Sequence, residues 1–306
     1  MNTTPSFTHT LRQRWQAADS MLCVGLDPDP ARIPAHLGTG PEAIDRFCRD
    51  IIAATADTVC AFKPQIAYFA AQGAEDVLAG LIAHIHAEHP GIPVILDAKR
   101  GDIGSTARQY GVEAFDRFKA DALTLSPFMG FDSIEPYFEW AGRGLILLCR
   151  TSNPGGNDLQ ALSVLPAGDT TGTPPGAQSP RQSASDTASS AQPEKLYEHL
   201  ARLAAGPWNV NGELGLVVGA TFPDELSRVR ALAPRLPLLV PGVGAQGGDV
   251  NATVRAGLDA DGYGLVINSS RAILYAGKGT DFADQARKAA VATRDAIRAA
   301  RDAARA

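Results

Sequence analysis

The stretch Ile95-Leu-Asp-Ala-Lys-Arg-Gly-Asp-Ile-Gly-Ser-Thr106 decides how the rest of the chain is read. Its approach, Pro93-Val-Ile-Leu-Asp97, is short and apolar, which predicts a strand. The chain then sets Asp97, Lys99 and Asp102 around a turn at Gly101. Side chains two apart on a strand point the same way, so Asp97 and Lys99 share one side. Two carboxylates and an ammonium at a strand end are costly to bury unless they pair or take part in chemistry. The plain alternative is a surface salt bridge at a strand-to-helix turn.

Working outward, the same strand-then-helix unit recurs. Strands are predicted over Met21–Asp27, Val59–Lys63, Pro93–Asp97, Ala122–Leu125, Gly144–Cys149, Leu214–Val218, Pro237–Val240 and Tyr263–Ile267. Helices are predicted over Phe7–Ala18, Pro41–Thr58, Ala67–His89, Ser105–Phe118, Glu194–Ala205 and Thr280–Ala304, the first placed to close the bottom of a barrel. Alternation of this kind implies a parallel sheet, and eight strands make a closed (β/α)8 TIM barrel the natural α/β architecture. An open doubly wound sheet is the competing fold, and it would gather its ligand groups at one switch point. Here Asp27, Lys63, Asp97, Ser152, Gln246 and Arg271 fall at or just beyond the ends of six different strands, as a barrel would place them.

Residues 155–193 depart from the pattern. They are rich in Ser, Thr, Pro, Gly, Ala and Gln, and poor in large apolar side chains. Such a segment buries too little surface to offset its ordering entropy. It is read as a long, partly disordered loop after strand five, with part of it placed to act as a lid. A linker between two domains is disfavoured, because neither half holds a full set of strands. The expectation is therefore one barrel domain over 1–306 with an insertion at 155–193.

Bulk properties narrow the classes. The chain has 306 residues, 45% of them hydrophobic and 20% charged, enough for a large core. A net charge of -5 gives no nucleic-acid footprint. No run approaches the ~20 apolar residues of a membrane span, and the polar N-terminus lacks a signal core. Four cysteines without CxxC spacing, three of them in or beside apolar runs, read as buried thiols in a reducing, cytoplasmic setting.

The motifs now carry a resemblance. Leu96-Asp-Ala-Lys-Arg-Gly-Asp-Ile-Gly-Ser-Thr106 is the most specific. Val24-Gly-Leu-Asp27, Phe62-Lys-Pro64, Thr151-Ser-Asn-Pro-Gly155 and Pro241-Gly-Val-Gly-Ala-Gln-Gly-Gly248 support it, and the Arg271 segment is the weakest match. From about Met21 to Tyr275 the chain resembles the orotidine 5′-phosphate decarboxylase family, in its longer bacterial form. The resemblance implies a TIM barrel that removes CO₂ from orotidine monophosphate to give UMP, in pyrimidine biosynthesis, without metal or organic cofactor. It implies a charged array of Lys63, Asp97, Lys99 and Asp102, with Lys99 as proton donor to C6 and Asp97 against the substrate carboxylate. Asp27 and Lys63 would hold ribose hydroxyls, and Ser152 the pyrimidine. Gln246, Arg271 and loop amides such as that of Gly247 would hold the phosphate. Asp102 and Thr106 would reach into a neighbouring subunit's site, making a homodimer with shared active sites.

The chemistry fits these residue types. Loss of CO₂ leaves a carbanion with little resonance help, and a fixed ammonium both stabilises the charge and supplies the proton. Flanking carboxylates would keep Lys99 charged and oriented. A Gly-rich loop after strand seven is where barrels often bind phosphate, and an arginine fork suits that anion. His84, His86 and His89 look like a metal cluster only at first glance, since His84 and His86 do not share a helix face. Two other functions stand against the decarboxylase. One is a metal-dependent enzyme of the same barrel type acting on sugar phosphates, and the other is an inert nucleotide-phosphate binder.

Overall fold

The computed structural model describes residues 6–165, 192–243 and 248–305. Eight parallel strands form one sheet: β1 (Leu22–Leu26), β2 (Ala61–Pro64), β3 (Ile95–Arg100), β4 (Ala122–Leu125), β5 (Gly144–Arg150), β6 (Leu214–Val218), β7 (Leu238–Val240) and β8 (Leu265–Ser269). Each pairs with its neighbour in sequence, and β8 pairs with β1. Parallel bridges at Phe62↔Val94 and Gln65↔Asp97 join β2 to β3 and close the ring. This is the expected (β/α)8 barrel. Its strands are apolar on both sides because the helices cover one face and the barrel interior the other, so β1, β4, β6 and β7 are buried throughout.

The helices are α1 (Phe7–Ala18), α2 (Gly40–Thr55), α3 (Ile66–Ala70), α4 (Glu75–Glu88), α5 (Gly104–Gly111), α6 (Leu196–Ala205), α7 (Pro223–Leu232), α8 (Val250–Gly257), α9 (Arg271–Leu274) and α10 (Phe282–Arg305). The α1 helix lies across the N-terminal end of the barrel, burying Phe7, Leu11 and Trp15, at about 1.5–3 kcal/mol for each large side chain. It docks because Gly144 has no side chain: a Cβ there would stand 2.2 Å from the Phe7 ring. Glu213 caps the contact, accepting from the Thr8 amide at 2.9 Å.

Several boundaries differ from the sequence reading. The helix expected over Ala67–His89 is two helices, broken by a turn in which Gly73 takes φ +60°. The helix expected to Thr58 ends at Thr55 and finishes as a 3-10 turn. The helix expected over Ser105–Phe118 becomes a π-helix from Val112 to Arg117. After β4, where the sequence reading named no helix, the chain makes two 3-10 turns, Phe131–Ser133 and Glu135–Glu139. The strand expected to end at Asp97 runs on to Arg100. Most of the insertion, 166–191, lies outside the described residues, but its flanks are ordered. Ser163 and Val164 pair antiparallel with Lys195 and Glu194, just ahead of α6. All four cysteines are buried and free, and among the described residues no helix is long and apolar enough to cross a membrane.

Candidate active site

A cavity of about 570 Å³ opens at the C-terminal ends of the strands. Six of the residues singled out in the sequence line it: Asp27, Lys63, Asp97, Lys99, Ser152 and Arg271. They arrive from β1, β2, β3, the loop after β5 and the segment after β8, so only a closed ring brings them together.

Asp97 is the centre of the charged group. Its Oδ2 accepts from Lys63 Nζ at 2.9 Å, and its Oδ1 accepts from Lys99 Nζ at 2.5 Å. Thr124 Oγ1 donates to the same Oδ1 at 2.9 Å. Lys63 and Asp97 are buried, whereas the Lys99 side chain is 46% exposed to the cavity. Burial pulls the Lys63 pKa down, but the charges of Asp97 and Asp27 outweigh it and hold the ammonium above its ordinary value. Burial pushes Asp97 up, and the two lysines reverse this, leaving the carboxyl well below the usual carboxylate range. Both groups are therefore charged at neutral pH. A buried pair of this kind persists because the attraction between the two charges and the further donors to Asp97, from Lys99 and Thr124, offset the cost of desolvation.

The local backbone explains how Asp97 and Lys99 reach one another. Leu96 pairs with Leu123 and Arg100 with Leu125, so four steps along β3 face two along β4. The excess residues form a bulge that re-aims the side chains. Lys99 sits there at φ +47°, a left-handed conformation unusual for a side chain of its size. Beyond the bulge, Asp102 is half-buried with its Oδ1 on the Ile103 amide at 2.9 Å, and Thr106 is exposed on α5. Neither lines the cavity of its own chain. Gln246 and Gly247 lie outside the described residues. Gly242 and Val243 of the same loop do line the cavity, and Arg271 begins α9 with its side chain exposed.

The structure adds residues that the sequence reading passed over. Asn268, on β8, lines the cavity, and its Oδ1 has no partner among the described residues; the same holds for Asp27 Oδ1. Tyr275 fixes the chain around Asp27: its hydroxyl donates to the Asp27 carbonyl at 2.8 Å and accepts from the Asp29 amide at 2.6 Å. The wholly buried Arg150 ties down the loop after β5. It pairs with Glu225, donates to Asn157 at 2.5 Å and lies 4.1 Å from the centre of the Phe222 ring. Gln160 completes this anchor by accepting from the Thr151 amide at 2.8 Å. Gly219 lets the loop approach, since a Cβ there would stand 2.7 Å from the Ser152 backbone. One signal was available in the sequence for each of Asn268 and Thr124: Thr124 is a polar residue inside an otherwise apolar strand, and Asn268 directly follows an apolar predicted strand at its C-terminal end. His86, one of the three clustered histidines, bonds Asp121 at 2.9 Å at the far end of the barrel.

Comparison with known proteins agrees with this geometry. Residues 20–172 match the model of the "Orotidine 5'-phosphate decarboxylase / HUMPS family". An orotidine 5'-phosphate decarboxylase from Azoarcus sp. is 62% identical over 295 residues, covering 96% of this chain and 99% of that protein. The corresponding protein of Aromatoleum aromaticum is 61% identical over 291 residues, covering 95% and 98%. Among solved structures, the Leishmania donovani OMP decarboxylase superposes with a TM-score of 0.76 at 39% identity, covering 97% of this chain and 99% of that one. By sequence and by fold, the chain belongs to the orotidine 5'-phosphate decarboxylase / HUMPS family.

Proposed function

We propose that the protein removes CO₂ from orotidine 5′-monophosphate to give UMP in pyrimidine biosynthesis, with Lys99 as the proton donor. The observation that carries this reading is the pair of ammonium groups, Lys63 and Lys99, held on one buried carboxylate in the cavity wall. In the reaction the C6–carboxylate bond breaks and its electron pair stays on C6. Lys99 Nζ, fixed beside that carbon, stabilises the growing charge and then transfers its proton to C6. Solvent reprotonates the lysine. Asp97 faces the departing carboxylate, and this like-charge contact is relieved as CO₂ leaves. The unpartnered Oδ1 of Asp27, with Lys63, takes the ribose hydroxyls. Ser152 contacts the pyrimidine. Arg271 and the loop containing Gly242, Gln246 and Gly247 take the phosphate, whose binding energy helps close the site.

The reading includes an isologous homodimer with shared sites. Asp102 and Thr106 stand outside their own cavity, at its rim. Ile103 is 49% exposed beside them, and Phe128 and Met129 are 79% and 47% exposed on the adjoining loop after β4. An apolar rim around a functional carboxylate is what a second subunit would cover. The direct test is the absorbance change of orotidine monophosphate with purified protein, with and without EDTA. Turnover unaffected by EDTA supports the reading. No CO₂ release, or activity lost on chelation and restored by a divalent ion, overturns it.

A further inference from the structure

Thr124 is the one polar side chain in Ala122–Leu125, and it is 1% exposed. Its hydroxyl accepts from two successive amides, Ala98 at 3.0 Å and Lys99 at 2.9 Å. These are the amides that the β3 bulge takes out of the ladder with β4. A threonine oxygen has two lone pairs and one proton. With both lone pairs filled by N–H groups, the proton has a single direction left, and it goes to Asp97 Oδ1 at 2.9 Å. That oxygen is also the one holding Lys99 Nζ. One buried hydroxyl thus fixes the backbone of Lys99 at φ +47° and fixes the carboxylate that orients its ammonium.

We propose that Thr124 is a positioning residue for the decarboxylation: it sets the place of Lys99 Nζ by holding both ends of the Asp97–Lys99 unit. The inference rests on the reading of Lys99 as proton donor. A hydroxyl serving only the stability of the core would have no need to join the bulge amides to the site carboxylate. Valine has nearly the same shape as threonine but neither accepts nor donates. In Thr124→Val, two part-buried amides lose their acceptor, Asp97 loses a donor, and the left-handed turn at Lys99 loses its clamp.

The test compares Thr124→Val and Thr124→Ser with wild type for kcat, KM and UMP affinity. Displacing a catalytic group by about 1 Å can cost about a hundredfold in rate, so kcat of Thr124→Val should fall by about that factor. UMP affinity should stay within about threefold, because the loss falls on the chemical step rather than on binding. Thr124→Ser, which keeps the hydroxyl, should recover most of kcat. Three results overturn the inference: a folded Thr124→Val with wild-type kcat, a parallel loss of kcat and UMP affinity, or a serine variant as slow as the valine one. If Thr124→Val does not fold, Thr124→Cys is read by the same criteria, since its sulfur is a weak donor and acceptor. Lys99→Ala, run alongside, separates the two levels. Turnover by Lys99→Ala sinks the proton-donor reading itself; a dead Lys99→Ala beside a fully active Thr124→Val sinks only the role of Thr124.

Discussion

On the β2–β4 wall of the cavity, the two carboxylate oxygens of Asp97 are taken by Lys63, Lys99 and Thr124. On the β1–β8 wall, Asp27 Oδ1 and Asn268 Oδ1 have no partner among the described residues, and Arg271 stands exposed. The first wall is complete before any ligand arrives, as groups must be if they are to stabilise a transition state without reorganising. The second wall leaves acceptors open. A buried acceptor without a partner costs about 1–3 kcal/mol, and a ligand that donates to it relieves that cost. On the proposed reading, the chemistry is thus preorganised by the chain, whereas part of the binding is completed by the substrate. Variants on the two walls should fail differently.

The largest effect belongs to the preorganised wall. Lys99→Ala should lower kcat by at least about 10⁴-fold, the upper range for a positioned proton donor. UMP binding should change little, since the proposed ribose and phosphate contacts fall to residues other than Lys99. Stopped assays with radiolabelled carboxylate give the first quantity and calorimetry the second. A folded Lys99→Ala protein with near-normal kcat would remove the chemistry from this wall altogether.

Next comes the rim beyond the bulge. If Asp102 serves the neighbouring subunit, Asp102→Ala and Lys99→Ala proteins are each inactive, yet a mixture that exchanges subunits is not. One site of each heterodimer then carries both defects and the other carries neither, so activity should return to about half the wild-type value per heterodimer. No recovery in a sample shown by mass spectrometry to contain heterodimers would place Asp102 in its own chain's service.

Arg271→Ala should act on the open wall and cost less. A charged hydrogen bond to phosphate is worth about 1.5–3 kcal/mol, so kcat/KM for orotidine monophosphate should drop by about 10- to 100-fold. Orotidine, which lacks the phosphate, should be turned over equally by variant and wild type. Equal damage to both substrates would make Arg271 structural.

Legibility in the sequence followed the same division. The ring of strands was readable because the strands are short, mostly apolar runs alternating with helical stretches, and β4 and β6 fall where the pattern puts them. Asp97 and Lys99 were readable from their spacing. The bulge was not: alternation placed both side chains on one face of a regular strand, while the structure reaches the same proximity through a left-handed Lys99. Nothing in the residues 95–100 announces a positive φ, because a lysine there is held by Thr124, distant in sequence. Tyr275 and Arg150 escaped for a related reason. Their partners, Asp27 and Glu225, are set by ring closure and not by local pattern. The break at Gly73 was local and could have been read, since a glycine inside a helical pattern is a stop signal.

The smallest effect is expected where neither wall is touched. Residues 167–192 contain no apolar side chain larger than alanine or proline, so they offer almost nothing to a core. The chain on either side is a different matter. Gly155, Gly156, Leu159 and Gln160 line the cavity, and Arg150 and Gln160 anchor them. The pairing of Ser163 with Lys195 and of Val164 with Glu194 holds the two ends of the segment side by side. Replacing 167–192 by two glycines would leave a turn of about five residues, a common hairpin length. A shorter loop is also cheaper to close, by about 1–2 kcal/mol on a logarithmic dependence on length. Tm should therefore hold or rise by about 2–4 °C. kcat should stay within about threefold, under about 0.7 kcal/mol of barrier. A Tm lower by about 5 °C or more would show that the segment packs on the barrel. A preserved Tm with a large loss of kcat/KM would instead extend the open wall of the site into the insertion.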